Sequence, residues 1–220
     1  VGKRRVSDPD MHSIPLVALG TGLLWFGWYG FNAGSELRVD AVTAQAFLNT
    51  DVSASFAGVM WLALAWIFQK RASFVGLLTG AVAGLATITP AAGFVSVGSS
   101  AAIGLIAGGV CFMAVNLKTR LGWDDALDVW AVHGVGGITG TILLGVFAVE
   151  SVGGVNGLLS GGGPGLLFKQ TVAVLAVAAY AFVFSWAALW VINKITPVHV
   201  SESDEGNLDV ALHGEAAYDM

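Results

Sequence analysis

His133 carries the most chemical information in these 220 residues. It stands in the run Val129 to Val149, which contains no Asp, Glu, Lys or Arg. An imidazole in so apolar a stretch must hydrogen-bond within the protein or face a water-filled path. Helical spacing from His133 reaches Gly136, Gly137 and Gly140, so a single face is expected to carry a histidine above three glycines. Small residues let a neighbouring helix or a permeant come close. Neutral imidazole both donates and accepts hydrogen bonds, and it titrates near physiological pH. That chemistry suits the lining of a path for a small polar solute or a proton; the competing reading is a core histidine bonded between helices. A second constellation lies at Trp28, Phe31 and Ser35, spaced i, i+3, i+7 near the end of another charge-free run. Aromatics at such ends commonly anchor a helix at the membrane surface, and Trp25 fits that role. The functional alternative is a cation–π site with a hydroxyl acceptor beside it.

These residues need long apolar elements to hold them. A helix crosses a bilayer core with about 20 apolar residues. Charge-free runs extend over 11–35, 52–69, 129–149 and 170–193. A further run, 72–117, is long enough for two spans and is divided by the turn Thr89-Pro90-Ala91-Ala92-Gly93. The pattern predicts six helices near 14–35, 44–69, 73–90, 97–117, 127–149 and 168–194. With six spans both termini share a side. That side collects Lys3, Arg4, Arg5, Lys70, Arg71, Lys118, Arg120 and Lys194, leaving only Arg38 and Lys169 opposite. The asymmetry predicts that the first side is cytoplasmic. Gly76, Gly80 and Gly84, with Gly104 and Gly108, are expected to be close helix-packing faces.

Composition narrows the function classes. Charged residues make up 11% of the chain and hydrophobic residues 55%, with a mean hydropathy of +0.75. A soluble domain needs about twice that charge to cover its surface. The net charge of −5 and the lack of a basic patch argue against nucleic-acid binding. Cys111 is the only cysteine, so there is no disulfide framework. No histidine has a partner at metal-ligand spacing. There is no nucleophile elbow and no intramembrane carboxylate pair, so neither an enzyme, a metal site nor a cofactor is expected. The chain reads as an all-α polytopic membrane bundle. Residues 1–13 form a loop, 14–195 the membrane region, and 196–220 an acidic tail beginning with Ser201-Glu202-Ser203-Asp204-Glu205.

Two long segments resemble the signature of the ammonium transporter family (Amt/Mep/Rh), nearest to its bacterial and plant-type Amt members. They are Leu23-Leu24-Trp25-Phe26-Gly27-Trp28-Tyr29-Gly30-Phe31-Asn32-Ala33-Gly34-Ser35 and Asp124-Asp125-Ala126-Leu127-Asp128-Val129-Trp130-Ala131-Val132-His133-Gly134-Val135-Gly136-Gly137-Ile138. The turn 89–94 and the terminal stretch Leu208 to Tyr218 are similar as well. The resemblance implies the second of two inverted helix repeats plus a long final helix, spans six to eleven of an eleven-span trimeric transporter. The opening on Val1 and a basic loop fits the C-terminal part of a longer protein.

The resemblance also implies roles. Phe31 corresponds to one of two phenylalanines closing the outer mouth. Ser35, with Trp28 on the same face, falls at the external ammonium site. His133 corresponds to the second of twin pore histidines, and Asp128 to a structural or capping carboxylate before that helix. Gly136, Gly137 and Gly140 lie beside the pore. Asp209, His213, Gly214, Glu215 and Tyr218 correspond to a regulatory tail that contacts PII-type signal proteins at the cytoplasmic face. The implied activity is recruitment of ammonium, loss of its proton, and passage of ammonia through an apolar pore in the plasma (inner) membrane. The physical logic is desolvation: burying an unpaired ion costs many kcal/mol, and ammonium can shed a proton where potassium has none to lose. An ammonium-sensing module and a non-conducting fragment are the alternative readings.

Overall fold

A computed structural model describes Met11, residues 13–201, Asp204 and residues 208–216. The helices are α1 (Ile14–Gly34), α2 (Ala41–Gln69), α3 (Phe74–Ile88), α4 (Val97–Leu121), α5 (Gly136–Phe147), α6 (Glu150–Gly153) and α7 (Gly165–Ile195). A π-helical turn, Trp130–Val135, leads directly into α5. The predicted spans are all present, with ends shifted by a few residues. Their starts arise from local chemistry. Ser13, Asp40, Ser73 and Ser96 cap α1 to α4 by accepting first-turn amide protons, which satisfies donors a helix leaves unpaired. At α2 the exchange is reciprocal, with the Thr43 hydroxyl accepting from the Asp40 amide.

Five of these spans are long and apolar enough to cross a membrane; α3 has 15 residues, about 22 Å at 1.5 Å per residue. Thr89-Pro90 ends α3 early, as the sequence predicts. The short helix never has to match a lipid thickness, because its second half is buried inside the bundle. The turn beyond it is held by Asn49 of α2, whose side-chain amide donates to the carbonyls of Ala92 and Val95, each at 2.8 Å.

The core is organised around α2. Ser53 is fully buried, and Gly84 of α3 and Gly104 of α4 both rest on its carbonyl, so closely that a Cβ on either glycine would collide with it. Gly80 and Gly108 pack one turn further along, against Ala57. The glycine faces expected from the sequence thus meet a common helix. Inside this unit Ser53 donates to the Gly84 carbonyl at 3.0 Å and Thr50 to that of Ala46 at 2.7 Å, while the buried Thr87 hydroxyl has no partner among the described residues. In lipid no water stands in for a missing partner. The aromatic plug at the far end is Trp61 against Phe112, edge to face at 5.5 Å.

The other side is more open. Helix α7 runs for 31 residues with none buried, and it packs chiefly on α5, where Gly145 meets the backbone of Leu167. The connection from α5 is pinned by the Val149 amide donating to Phe94 and the Gly157 amide donating to Ala148.

Candidate functional site

Helix α1 lays a line of side chains from its C-terminal end inward. Ser35, the C-cap residue, donates its hydroxyl proton to the Phe31 carbonyl at 2.5 Å. Its oxygen lone pairs remain for a donor from outside. Ser35 lies in the wall of a cavity of about 540 Å³ that also takes in Asn32, Glu36, Arg38, Thr89 and Phe94. Asn32 donates to Thr50 at 3.0 Å, while its carbonyl oxygen is buried without a partner. This mouth therefore presents the Ser35 hydroxyl oxygen as an acceptor, while the Asn32 carbonyl oxygen lies buried behind it. At its rim Arg38 pairs with Glu36 at 2.8 Å and Asp40 at 2.7 Å. Amide hydrogen bonds from Thr43 and Val42, with the Arg38 charge, hold the Asp40 carboxyl below its ordinary value.

Helical spacing predicted Trp28 beside Ser35, but Trp28 does not line the Ser35 cavity. It turns toward the bundle interior, where its indole N–H donates to the Thr89 hydroxyl at 2.8 Å and Thr89 donates to the Leu85 carbonyl at 2.8 Å. The hydrogen bond to Thr89, just past the end of α3, draws the ring away from the membrane surface. On one side Trp28 meets Phe31 edge to face at 5.8 Å. On the other it stacks on His133, with centroids 6.1 Å apart and planes inclined by 17°. Phe31 is exposed and shares a shallow apolar groove with Leu23, Leu24, Gly27 and Trp28.

His133 sits in the middle of the π-helical turn. Among the described residues neither of its ring nitrogens has a hydrogen-bond partner. Its ring faces a groove of about 390 Å³ between α5 and α7, walled by Gly137, Ile138, Thr141, Val174 and Val177. The expected face of one histidine above three glycines is split. Gly137 lies in the groove with His133. Gly136 and Gly140 point the opposite way, onto Thr87 of α3, and a Cβ on Gly140 would strike the Thr87 carbonyl. The cause is the π turn, whose wider i→i+5 bonding adds a residue to the turn and rotates the helix beyond it.

The approach to this turn is tightly bonded. The Asp125 carboxylate accepts the amides of Val129 at 3.0 Å and Trp130 at 2.8 Å. Capping therefore belongs to Asp125 and not to Asp128. Asp128 instead faces Lys118 of α4, carboxylate to ammonium at 2.7 Å, and its backbone is left-handed at φ +55°.

Sequence reasoning missed several of these residues. Thr89 was visible only as part of a turn, Lys118 only as a loop cation, and Asp125 only as a motif letter. Asp51, one residue outside a charge-free run, falls within α2 and accepts the Tyr29 hydroxyl at 2.5 Å. Of the tail, Asp209 and His213 bound a second π-helical turn, closed by Gly214 at φ +68° with Glu215 after it. Tyr218 lies outside the described residues, as do His12 and most of 1–13. Among the described residues no cluster of His, Cys, Asp and Glu has the arrangement of a metal site.

Comparison with known proteins places this geometry. A sequence profile of the Ammonium Transporter Family matches residues 2–218. The ammonium transporter Amt1 of Archaeoglobus fulgidus is 44% identical over 99% of this chain and 56% of its own length. An ammonium transporter of Bacillus subtilis is 41% identical, again over 99% of this chain and 55% of itself. The crystal structure of Candida albicans Mep2 superimposes with a TM-score of 0.84 at 36% identity, covering 92% of this chain and 46% of that one. A structure described as a sensor Amt protein gives 0.82 at 35% identity, covering 91% of this chain and 49% of that one. The chain spans about half the length of the curated relatives it matches. With its helical bundle aligned to theirs, this polytopic membrane protein belongs to the ammonium transporter family.

Proposed function

We propose that these helices form one half of an ammonium-conducting pore, the C-terminal half by the motifs they carry. The observation that carries the reading is the His133 ring: its nitrogens are uncommitted, it faces an apolar groove, and it stacks on a tryptophan held by Thr89. Ammonium is bound at the mouth by the Ser35 oxygen, which keeps lone pairs for a donor. Beyond Phe31 the path is apolar, and a bare cation there loses its hydration with little in return. Ammonium resolves this by giving its proton to water at the mouth. Neutral ammonia, a donor and an acceptor, then hydrogen-bonds to the imidazole of His133. Trp28 lies between mouth and histidine and keeps the ring upright by stacking. In this reading the complete protein is a homotrimer in the plasma (inner) membrane, with both ends of this segment cytoplasmic. The acidic tail meets a PII-type partner.

The test is uptake of methylammonium by the complete polypeptide that contains this sequence, with His133→Ala. Transport or its selectivity against potassium should fall by about tenfold or more; unchanged uptake with unchanged selectivity sinks the reading. A second reading, an ammonium sensor, is favoured by the match to the sensor Amt structure. It predicts saturable ammonium binding with negligible flux in the same assay.

A further inference from the structure

The approach to the histidine contains a buried cation that the proposed pathway does not use. The Lys118 side chain is only 9% exposed, and burying an ammonium group is costly unless it is paired. Its Nζ lies 2.7 Å from the Asp128 carboxylate and donates to the Asp125 carbonyl at 2.8 Å. One group on α4 thus joins two residues at the entry to the π turn. The Asp125 carboxylate caps the first amides of that turn, and the Asp128 carbonyl accepts the amide of Val132, the neighbour of His133. Asp128 is left-handed, a backbone that Asp and Asn tolerate better than most residues. On the far side Gly136 and Gly140 pack against Thr87, which fixes the body of α5 downstream of the turn.

We infer that Lys118 is a positioning residue: its ion pair with Asp128 and its hydrogen bond to the Asp125 carbonyl set the rotation of the π turn and so aim the His133 ring at Trp28 and the groove. This rests on the pathway reading above. Lys118→Met leaves a carboxylate unpaired, and Asp128→Asn leaves the ammonium unpaired while keeping a residue suited to left-handed backbone. Each is expected to lower methylammonium transport per molecule at the cell surface by about tenfold and to reduce selectivity over potassium, the coupling expected of residues in one ion pair. The double variant is expected to recover to within about threefold of the parent, and Lys118→Arg to retain most activity. Normalising to surface protein separates aim from folding, since a pair that only stabilises would lower the amount of protein and leave selectivity per molecule intact. Additive losses in the double variant, or intact selectivity in both single variants, overturn the inference. His133→Ala run in parallel keeps the two claims apart: if it impairs selectivity while the Lys118–Asp128 cycle is additive, the pathway stands and the clamp fails. If His133→Ala changes nothing, the pathway itself has failed, and the clamp with it.

Discussion

The α2–α3–α4 unit and the α1–α5–α7 side solve the same problem in opposite ways. In the first, glycines bring backbones into contact, and Asn49 and Ser53 on the shared face are spent on neighbouring carbonyls. In the second, a histidine, a phenylalanine and a whole 31-residue helix stand open, and the imidazole nitrogens are left uncommitted. Both carry apolar sequence of the same character. The contrast teaches that small residues serve two purposes here. Against Ser53 they close space, and beside His133 they keep it.

The comparison breaks most severely if the packed unit tolerates bulk. Gly104→Leu drives a side chain into the Ser53 backbone and should cost about 3 kcal/mol or more, read as loss of the monodisperse protein in detergent. Asn49→Ala strips the side-chain donor from the Ala92 carbonyl and leaves that of Val95 with only the longer bond from Gln45 at 3.4 Å, a loss of about 2 kcal/mol, measured as a lowered melting temperature. A sharper contrast lies within α5. Gly140→Ala meets the Thr87 carbonyl and should destabilise by about 2 kcal/mol. Gly137→Ala enters open groove and should be neutral or stabilise by about 0.5–1 kcal/mol through helix propensity. Equal effects at the two positions would mean that the split faces are wrong.

Smaller still is Trp28→Phe, which removes the bond to Thr89 while keeping an aromatic ring. A loss of about 1 kcal/mol is expected, with a change in transport selectivity larger than the change in stability. The smallest effect is at the half-buried cap of α2. Asp40 has a folded-state pKa below its unfolded value, so its stabilising contribution is complete above the unfolded value near 3.9 and is lost as pH falls through the folded one. Melting curves of the parent and Asp40→Asn should therefore differ at neutral pH and converge in acid once the pH has fallen below the folded-state value. A difference that persists there would assign the effect to shape and not to charge.

Much of the bundle was legible because membrane spans announce themselves locally. A run such as Val129 to Val149 has only one economical structure in lipid, and Thr89-Pro90 has only one way to end a helix. The glycine repeats named their own packing faces. What stayed hidden was anything set between distant segments. Helical spacing placed Trp28 with Ser35, but a hydrogen bond to Thr89, 61 positions on, turned the indole inward. The same spacing aligned three glycines under His133, and the π turn dealt them to opposite sides. Lys118 looked like one more basic residue marking a membrane edge, because pairing with Asp128 is a matter of distance that no count of charges contains.

The chain's own order of residues determined that it is a stack of apolar helices, where each begins and ends, and which residues are chemically capable. Those properties depend on hydrophobic run length, capping and backbone restrictions, all of which act within a few residues. Only the tertiary structure decided which way His133 and Trp28 point, which carboxylate caps and which one pairs, and which glycines close a contact and which leave a groove. Those outcomes depend on rotation about helix axes, and that rotation is settled by contacts between segments far apart in the chain.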